Sequence, residues 1–236
     1  MNTTIQKMNN TKIDDLKLRI IELISKSPYR KFSVDKIKKM LLDEGIKTNY
    51  ATVYRKVDSL INQDILLKSM YGMASEIKIN LQGDNALSLL SLIENKKTEI
   101  FFNNIKGNIK ISLQEVKSDI KEIIEIKCVV IFGSYAKRKQ RADSDLDVLV
   151  IFEASKLIKN KEYEKDIKSS IKSILKTSEL RGSVRINPII VNSEENCEMI
   201  LNRESNVGKE ALLDHIILKG DAEYWREIAK CYQKQD

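Results

Sequence analysis

The stretch 132-FGSYAKRKQRADSDLDVLVIF-152 decides how the chain is read. Two carboxylates, Asp145 and Asp147, stand one residue apart at the head of an apolar run. A Gly-Ser pair, Gly133 and Ser134, precedes Asp145 with ten residues between. The intervening loop is basic, Lys137-Arg138-Lys139-Gln140-Arg141. Upstream, 127-KCVVIFG-133 is a continuous apolar run rich in β-branched residues, which predicts a buried central strand ended by Gly133. Residues 144–152 predict a second buried strand. Residues i and i+2 of a strand share a face, so Asp145 and Asp147 point one way and Leu146 and Val148 the other.

Two like charges held this close repel, and one pKa rises, unless a cation lies between them. Mg2+ (or Mn2+) suits the pair, because it takes oxygen ligands, commonly one or two carboxylates with phosphates and water. A Gly-Ser turn at a strand end can offer backbone N–H groups and a hydroxyl to a phosphate. Together these features predict a site for a metal-bound nucleoside triphosphate, with in-line attack on the α-phosphoryl group.

Gly133, Ser134, Ala136, Ser144, Asp145 and Asp147 resemble the G-S-x-A-R-G … S-D-x-D-L pattern of the minimal nucleotidyltransferase domains, which have the polymerase-beta-type nucleotidyltransferase fold. The resemblance covers about residues 110–220. It implies an α/β (α+β) domain with a short mixed sheet and helices on one face, and Mg2+-dependent nucleotidyl transfer. It makes Asp145 and Asp147 the catalytic metal ligands, and Gly133, Ser134, Lys137, Ser144, Arg185 and Asn187 the nucleotide-binding set. Two departures stand out. The pattern's second glycine falls at Arg138 and its arginine at Lys137. The third carboxylate expected on the later strand, 184-VRINPIIV-191, falls at Asn187, an amide and a poor general base. Glu179, Glu194 and Glu195 lie near in sequence without a place at the site. Arg185 shares parity with Asn187. It faces either the triphosphate or the acidic pair, where a salt bridge to Asp145 or Asp147 would block the site.

The first third of the chain reads differently. Residues 1–11 are polar. Ile13, Leu16, Ile20, Leu23 and Ile24 recur at helical spacing up to Pro28. Ser33 caps a second helix with Val34, Ile37, Met40 and Leu41 inward, ended by Gly45. A third helix spans 49–63, capped by Thr48 or Asn49, with Val53, Val57, Leu60 and Ile61 inward. Two β-prone pieces, Ile65–Ser69 and Glu76–Leu81, follow. The layout, and 47-KTNYATVYRKVDSLINQDIL-66 in particular, resembles winged helix-turn-helix transcription regulators. That resemblance implies duplex DNA as a partner, a homodimer, and Thr48, Asn49, Tyr50, Thr52, Arg55 and Lys56 facing the DNA. Arg55 would fork onto guanine, Asn49 would pair with adenine, and Thr48 and Tyr50 suit phosphates. The plainer alternative leaves Thr48 or Asn49 as a cap, Tyr50 and Tyr54 packed, and Arg55 and Lys56 solvated.

Charge separates the same two parts. Residues 1–82 hold 15 Lys+Arg against 9 Asp+Glu, and residues 83–236 hold 26 against 25, within a net charge of +7. The basic excess in the first third points to a polyanion partner. No apolar run reaches the roughly 20 residues of a membrane span, and the N-terminus lacks a secretory apolar segment. Cys128, Cys197 and Cys231 form no CxxC pair, so neither a disulfide framework nor a zinc site is predicted, and reduced thiols of a cytoplasmic protein are expected. His215 lies in ALLDHIILKG, read as a helical, mostly apolar stretch, and is expected to pack rather than to catalyse. Tyr224 and Trp225 are expected to pack within a last helix, 221–233.

The chain is therefore expected to be multidomain: a winged helix-turn-helix over 1–82, a helical connector over 83–109, and a nucleotidyltransferase-fold domain over 110–236, with residues 84–125 read as two helices broken near Gly107, the first the connector or a dimerisation helix and the second part of the next domain. Its expected function is that of a DNA-binding, transcription-regulating protein whose second domain binds Mg-NTP and transfers NMP. The alternative is a nucleotidyltransferase acting on a protein or small-molecule hydroxyl, with the first domain docking a partner protein or dimerising.

Overall fold

A computed structural model describes residues 14–72, 74–141, 143–153 and 161–233. The expectations for residues 1–11 and Ile13 lie outside the described residues. The chain divides into two compact units between Ala86 and Leu87.

In the first unit each helix begins where a short polar side chain can satisfy a free backbone N–H. Asp14 accepts from Lys17 N at 3.0 Å and starts α1 (Asp15–Ser25). Ser33 accepts from Lys36 N and starts α2 (Val34–Asp43), and Asn49 accepts from Thr52 N at 2.9 Å and starts α3 (Tyr50–Asn62). Ile20, Ile24, Ile37, Leu41, Val53, Val57 and Leu60 meet in the core, as their helical spacing predicts, while Leu16, Met40 and Ile61 are only half-buried. Strands β1 (Leu66–Tyr71) and β2 (Ala74–Ile79) form an antiparallel hairpin, and Phe32 adds a bridge to Ile77 through two backbone hydrogen bonds of 2.8 Å.

The division between the units falls within α4 (Asp84–Asn104), which is followed by α5 (Gly107–Asp119). The sheet of the second unit has the order β5 (Ile186–Asn192), β4 (Leu146–Phe152), β3 (Ile126–Ile131), β6 (Ile216–Lys219). The β4–β5 pair is parallel and the other two are antiparallel, so the sheet is mixed. A four-residue helix, α6 (Gly133–Ala136), follows β3, and α7 (Lys161–Gly182) crosses back from β4 to β5. Then come α8 (Ser193–Leu201), α9 (Val207–Leu213) and α10 (Asp221–Gln233).

Three sequence expectations are corrected. Ala211–Leu213 end α9, as the helical reading expects, but residues 216–219 form β6, which pairs with the central strand β3, so the stretch after His215 is not helical. Its β-branched run Ile216–Ile217 is stabilised by tertiary pairing, which overrides the helical look that ALLD lends to the residues after it. Helices also cover both faces of the sheet. Val148 and Val150 of β4 pack with Leu113 of α5 and Ile171 of α7, while α8 and α10 cover the other side, which carries the buried Cys128, Leu149 and Ile151. Finally, Cys197 of α8 and Cys231 of α10 lie 4.9 Å apart at Cα and form a disulfide, whereas Cys128 is free and buried. Their separation of 34 residues gave no motif; only the packing of α10 on α8 joins them. Among the described residues no helix is long and apolar enough to cross a membrane.

Candidate active site

Gly133 adopts a left-handed φ of +68°, which only glycine takes without strain. Space as well as torsion demands it, because a Cβ at this position would collide with Oδ2 of Asp147. The backbone ties the same two positions together, Phe132 N donating to Asp147 O at 3.1 Å. The turn after β3 therefore closes directly onto the Asp147 carboxylate. In α6 the first backbone bond runs from Lys137 N to Gly133 O, so the earlier N–H groups of that turn have no intrahelical acceptor.

Asp147 and Asn187 are register partners across the parallel β4–β5 ladder. Asn187 Nδ2 donates to Asp147 Oδ1 at 3.0 Å. One oxygen of Asp147 is thus held by the amide and the other lies against the glycine turn. Asp145, two residues earlier and of the same parity, is half-buried and meets Arg185 Nε at 3.7 Å. The Arg185 side chain is 77% exposed, and such a pair is worth about 0–1 kcal/mol. A phosphate could draw Arg185 away at little cost. Among the described residues no group of three or more His, Cys, Asp or Glu side chains gathers as a metal site. The donor set is therefore two carboxylates beside a turn that has no Cβ. It fits a hard divalent cation that takes its remaining oxygens from phosphate and water.

The comparisons with known proteins agree with this geometry. Residues 114–207 match the family model described as polymerase beta, nucleotidyltransferase. A protein of Methanocaldococcus jannaschii, provisionally named a protein adenylyltransferase, is 38% identical over 90 residues, covering 38% of this chain and 90% of the relative. The chain belongs to the polymerase-beta-type nucleotidyltransferase family. Two further proteins of that organism with the same description are 43% and 39% identical over 46 and 59 residues, and the chain spans 54% and 60% of their lengths. No solved structure matches the chain. The matched segment holds α6, β4 and β5, and hence Gly133, Asp145, Asp147 and Asn187.

The other residues that the sequence pattern singles out lie around the same turn or along β5. Ser134 O accepts from Lys139 N at 2.9 Å, which folds the basic loop back on the turn. Ser144 Oγ accepts from Arg141 N at 2.8 Å and closes the loop's far end. Lys137 Nζ donates to Glu210 of α9 at 2.5 Å, a partner with no signal in the sequence. That hydrogen bond, followed by the attraction of Glu210, Asp214 and Asp147, holds the Lys137 pKa above its usual value. Glu179 bonds Lys176 at 2.8 Å and accepts from Ile186 N at 3.5 Å, on the outer edge of β5. Glu195 caps α8 through Asn192 N, and Glu194 sits beside it. Both lie beyond Asn192 at the far end of β5, about 16 Å from Asn187 at strand rise. None of the three glutamates stands beside the Asp145–Asp147 pair.

In the first unit, Thr52, Arg55 and Lys56 line a cleft of about 400 Å3 with Asp14, Lys17 and Ser59. Arg55 is exposed and its Nε donates to Ala51 O at 3.3 Å. Lys56 pairs with Asp14, and the buried Lys17 donates to Ser59 Oγ at 2.7 Å. Asn49 uses its side-chain oxygen as the α3 cap, and Thr48 Oγ1 is buried without a hydrogen-bond partner. Tyr50 stacks on Tyr54 with centroids 6.2 Å apart, both half-exposed. His215 is buried; its Nδ1 lies 2.8 Å from Ala211 O and its Nε2 lies 3.2 Å from Glu94 Oε2, near enough for an ion pair but out of line for a hydrogen bond.

Proposed function

We propose that the chain is a DNA-binding protein whose second unit binds a metal-bound nucleoside triphosphate and transfers the nucleotidyl group to an acceptor. The observation that carries the proposal is the closure of the Gly133 turn on Asp147 beside Asp145. Asp145 and Asp147 would hold Mg2+, which when bound would neutralise charge on the phosphates and the leaving pyrophosphate. Gly133 and the α6 turn would seat phosphate oxygens on backbone N–H groups. Asn187 would hold Asp147 in place, and Arg185, released from Asp145, would pair with phosphate. The description of the relatives as protein adenylyltransferases supports adenylyl as the group transferred.

The first unit would act as a winged helix-turn-helix. The order of three helices and a hairpin supports this, as do the Phe32–Ile77 bridge and the exposed Arg55 on α3. Arg55 and Thr52 are its best DNA contacts, because Asn49 and Thr48 have their oxygens committed or buried, and Lys56 would exchange its Asp14 partner for phosphate. The half-exposed Tyr50–Tyr54 stack favours a second use, docking of a partner protein.

Two measurements test the proposal. Equilibrium dialysis with ATP and Mg2+ is expected to give metal-dependent binding that Asp147→Asn abolishes; equal binding by that variant would sink the site assignment. Duplex DNA is expected to bind with steep salt dependence and to be lost in Arg55→Ala/Lys56→Ala. Absence of binding at low salt would leave the docking role for the first unit.

A further inference from the structure

We infer that two copies of this chain associate through the free edge of the hairpin in the first unit, strand β1 of one copy pairing antiparallel with β1 of the other about a twofold axis. The contact requires neither nucleotide nor DNA. Ile77 of β2 exchanges both of its backbone hydrogen bonds with Phe32, at 2.8 Å each. Its N–H and C=O therefore point away from β1. Lys68 is its partner in the antiparallel register, so Lys68 points its own groups away from β2. Alternation extends this to Leu66 and Met70, whereas Leu67, Ser69 and Tyr71 bond to β2.

The two edges of the hairpin differ. Phe32 occupies the β2 edge, and Lys31 pairs with Glu76 beside it at 2.7 Å. On the β1 edge no strand or loop among the described residues bonds to the outward groups of Leu66, Lys68 and Met70. Leu67 to Tyr71 are all exposed, Met70 at 63% and Tyr71 at 76%. An open row of N–H and C=O groups among exposed Leu67, Met70 and Tyr71 is a template for another strand.

The edge is complementary to itself in one register. Outward residues must meet outward residues, so the twofold axis passes through a residue pair and not between two. An axis at Lys68 sets two like charges opposite each other, which is unfavourable. An axis at Leu67 leaves Met70 and Tyr71 beyond the end of the partner strand, and an axis at Met70 leaves Leu67 there. An axis at Ser69 has none of these faults. It pairs Lys68 with Met70 of the second copy, and Met70 with its Lys68, each pair exchanging both backbone bonds. On the outer face Leu67 meets Tyr71 of the second copy, and Tyr71 meets its Leu67. Because Phe32 closes the β2 edge, association stops at two copies. The strip is short, so the dimer is weak and depends on concentration.

Sedimentation equilibrium of the full chain from about 1 μM to about 1 mM is expected to show monomer and dimer and nothing larger. Met70→Pro removes an N–H that the hairpin itself does not use, a change an edge strand tolerates. The twofold removes that bond twice, so dimerisation should weaken roughly tenfold or more while the melting temperature stays close to wild type. Ser69→Cys places two thiols across the axis with Cα atoms about 4.5 Å apart, within reach of a disulfide. Mild oxidation should link this variant into a covalent dimer. Lys78→Cys lies on the same face but more than about 14 Å from its counterpart across the four strands, and should not link. The native cysteines do not compete, because Cys128 is buried and Cys197 is joined to Cys231. Dimerisation unchanged by Met70→Pro overturns the inference, as does equal linking of the two cysteine variants. A chain that stays monomeric throughout also overturns it, and leaves the β1 edge to an extended segment of another protein.

Discussion

Asn187 and Asp147 face each other across the parallel β4–β5 ladder, and the amide of the first donates to Oδ1 of the second at 3.0 Å. A carboxylate only accepts, so the amide must present nitrogen to it. The bond leaves Oδ2 as the oxygen beside the glycine turn and fixes the plane of the carboxylate before any cation arrives. Asn187→Leu keeps the bulk and removes the donor. Metal-dependent nucleotide binding is expected to weaken about tenfold, the low end for loss of a ligand's supporting hydrogen bond. The melting temperature should stay close to wild type, because Asn187 is exposed. Unchanged affinity in equilibrium dialysis would show that Asp147 needs no such support.

Gly133→Ala is expected to damage both stability and binding. The left-handed φ of +68° costs a side chain roughly 1–2 kcal/mol. The added Cβ also collides with Asp147 Oδ2, so the carboxylate must move. Gly45→Ala is the control, with φ of +80° and open space around the missing Cβ. Both variants should melt lower, but only Gly133→Ala should lose metal-dependent nucleotide binding. Equal binding loss in the two would mean that backbone strain, not the clash, explains the glycine.

Arg138 takes a φ of +54° immediately after the α6 turn, at the position where the family pattern has glycine. A residue with a Cβ is strained in this region, whereas glycine is not. Arg138→Gly is expected to stabilise the second unit by about 0.5–1 kcal/mol, after allowing for the larger unfolded-state entropy of glycine. Urea unfolding measures it. A loss of stability would show that the guanidinium makes a contact worth more than the strain.

Much of this was legible in the sequence because local chemistry dictated it. The cap Ser33, a cap at Thr48 or Asn49, the inward faces of α2 and α3, the buried β3 and β4 and the shared face of Asp145 and Asp147 follow from short-range spacing; the structure chooses Asn49. The glycine requirement at 133 was visible as a motif, although the collision with Asp147 that enforces it needed the register of β3 on β4. Features made only by tertiary contact stayed hidden. Strand β6 is a short apolar run that looked helical until β3 paired with it. Glu210 reaches Lys137 from 73 residues away, and the Cys197–Cys231 disulfide depends on how α10 packs on α8.

The buried Glu94–His215 pair is the clearest case of a hidden feature with a measurable consequence. Glu94 on α4 and His215 before β6 are both almost fully buried, and Lys97 donates to Glu94 Oε1 at 2.9 Å. Burial alone would push the Glu94 pKa up. The attraction of His215, with that of Lys97 and its hydrogen bond, outweighs it, so the carboxyl is held below its usual range. A carboxyl with a depressed folded-state pKa contributes stability that is present above its unfolded value and is lost as pH falls through its folded value. The second unit should therefore lose stability on acidification below the ordinary carboxylate range. Glu94→Leu leaves His215 and Lys97 without their carboxylate and is expected to cost about 3–5 kcal/mol at neutral pH. Glu94→Gln keeps the shape and cannot titrate, so its stability should fall less steeply with acid than that of the wild type. Urea unfolding of both proteins from neutral to acidic pH checks the sign; parallel curves would show that Glu94 contributes nothing to the acid limb.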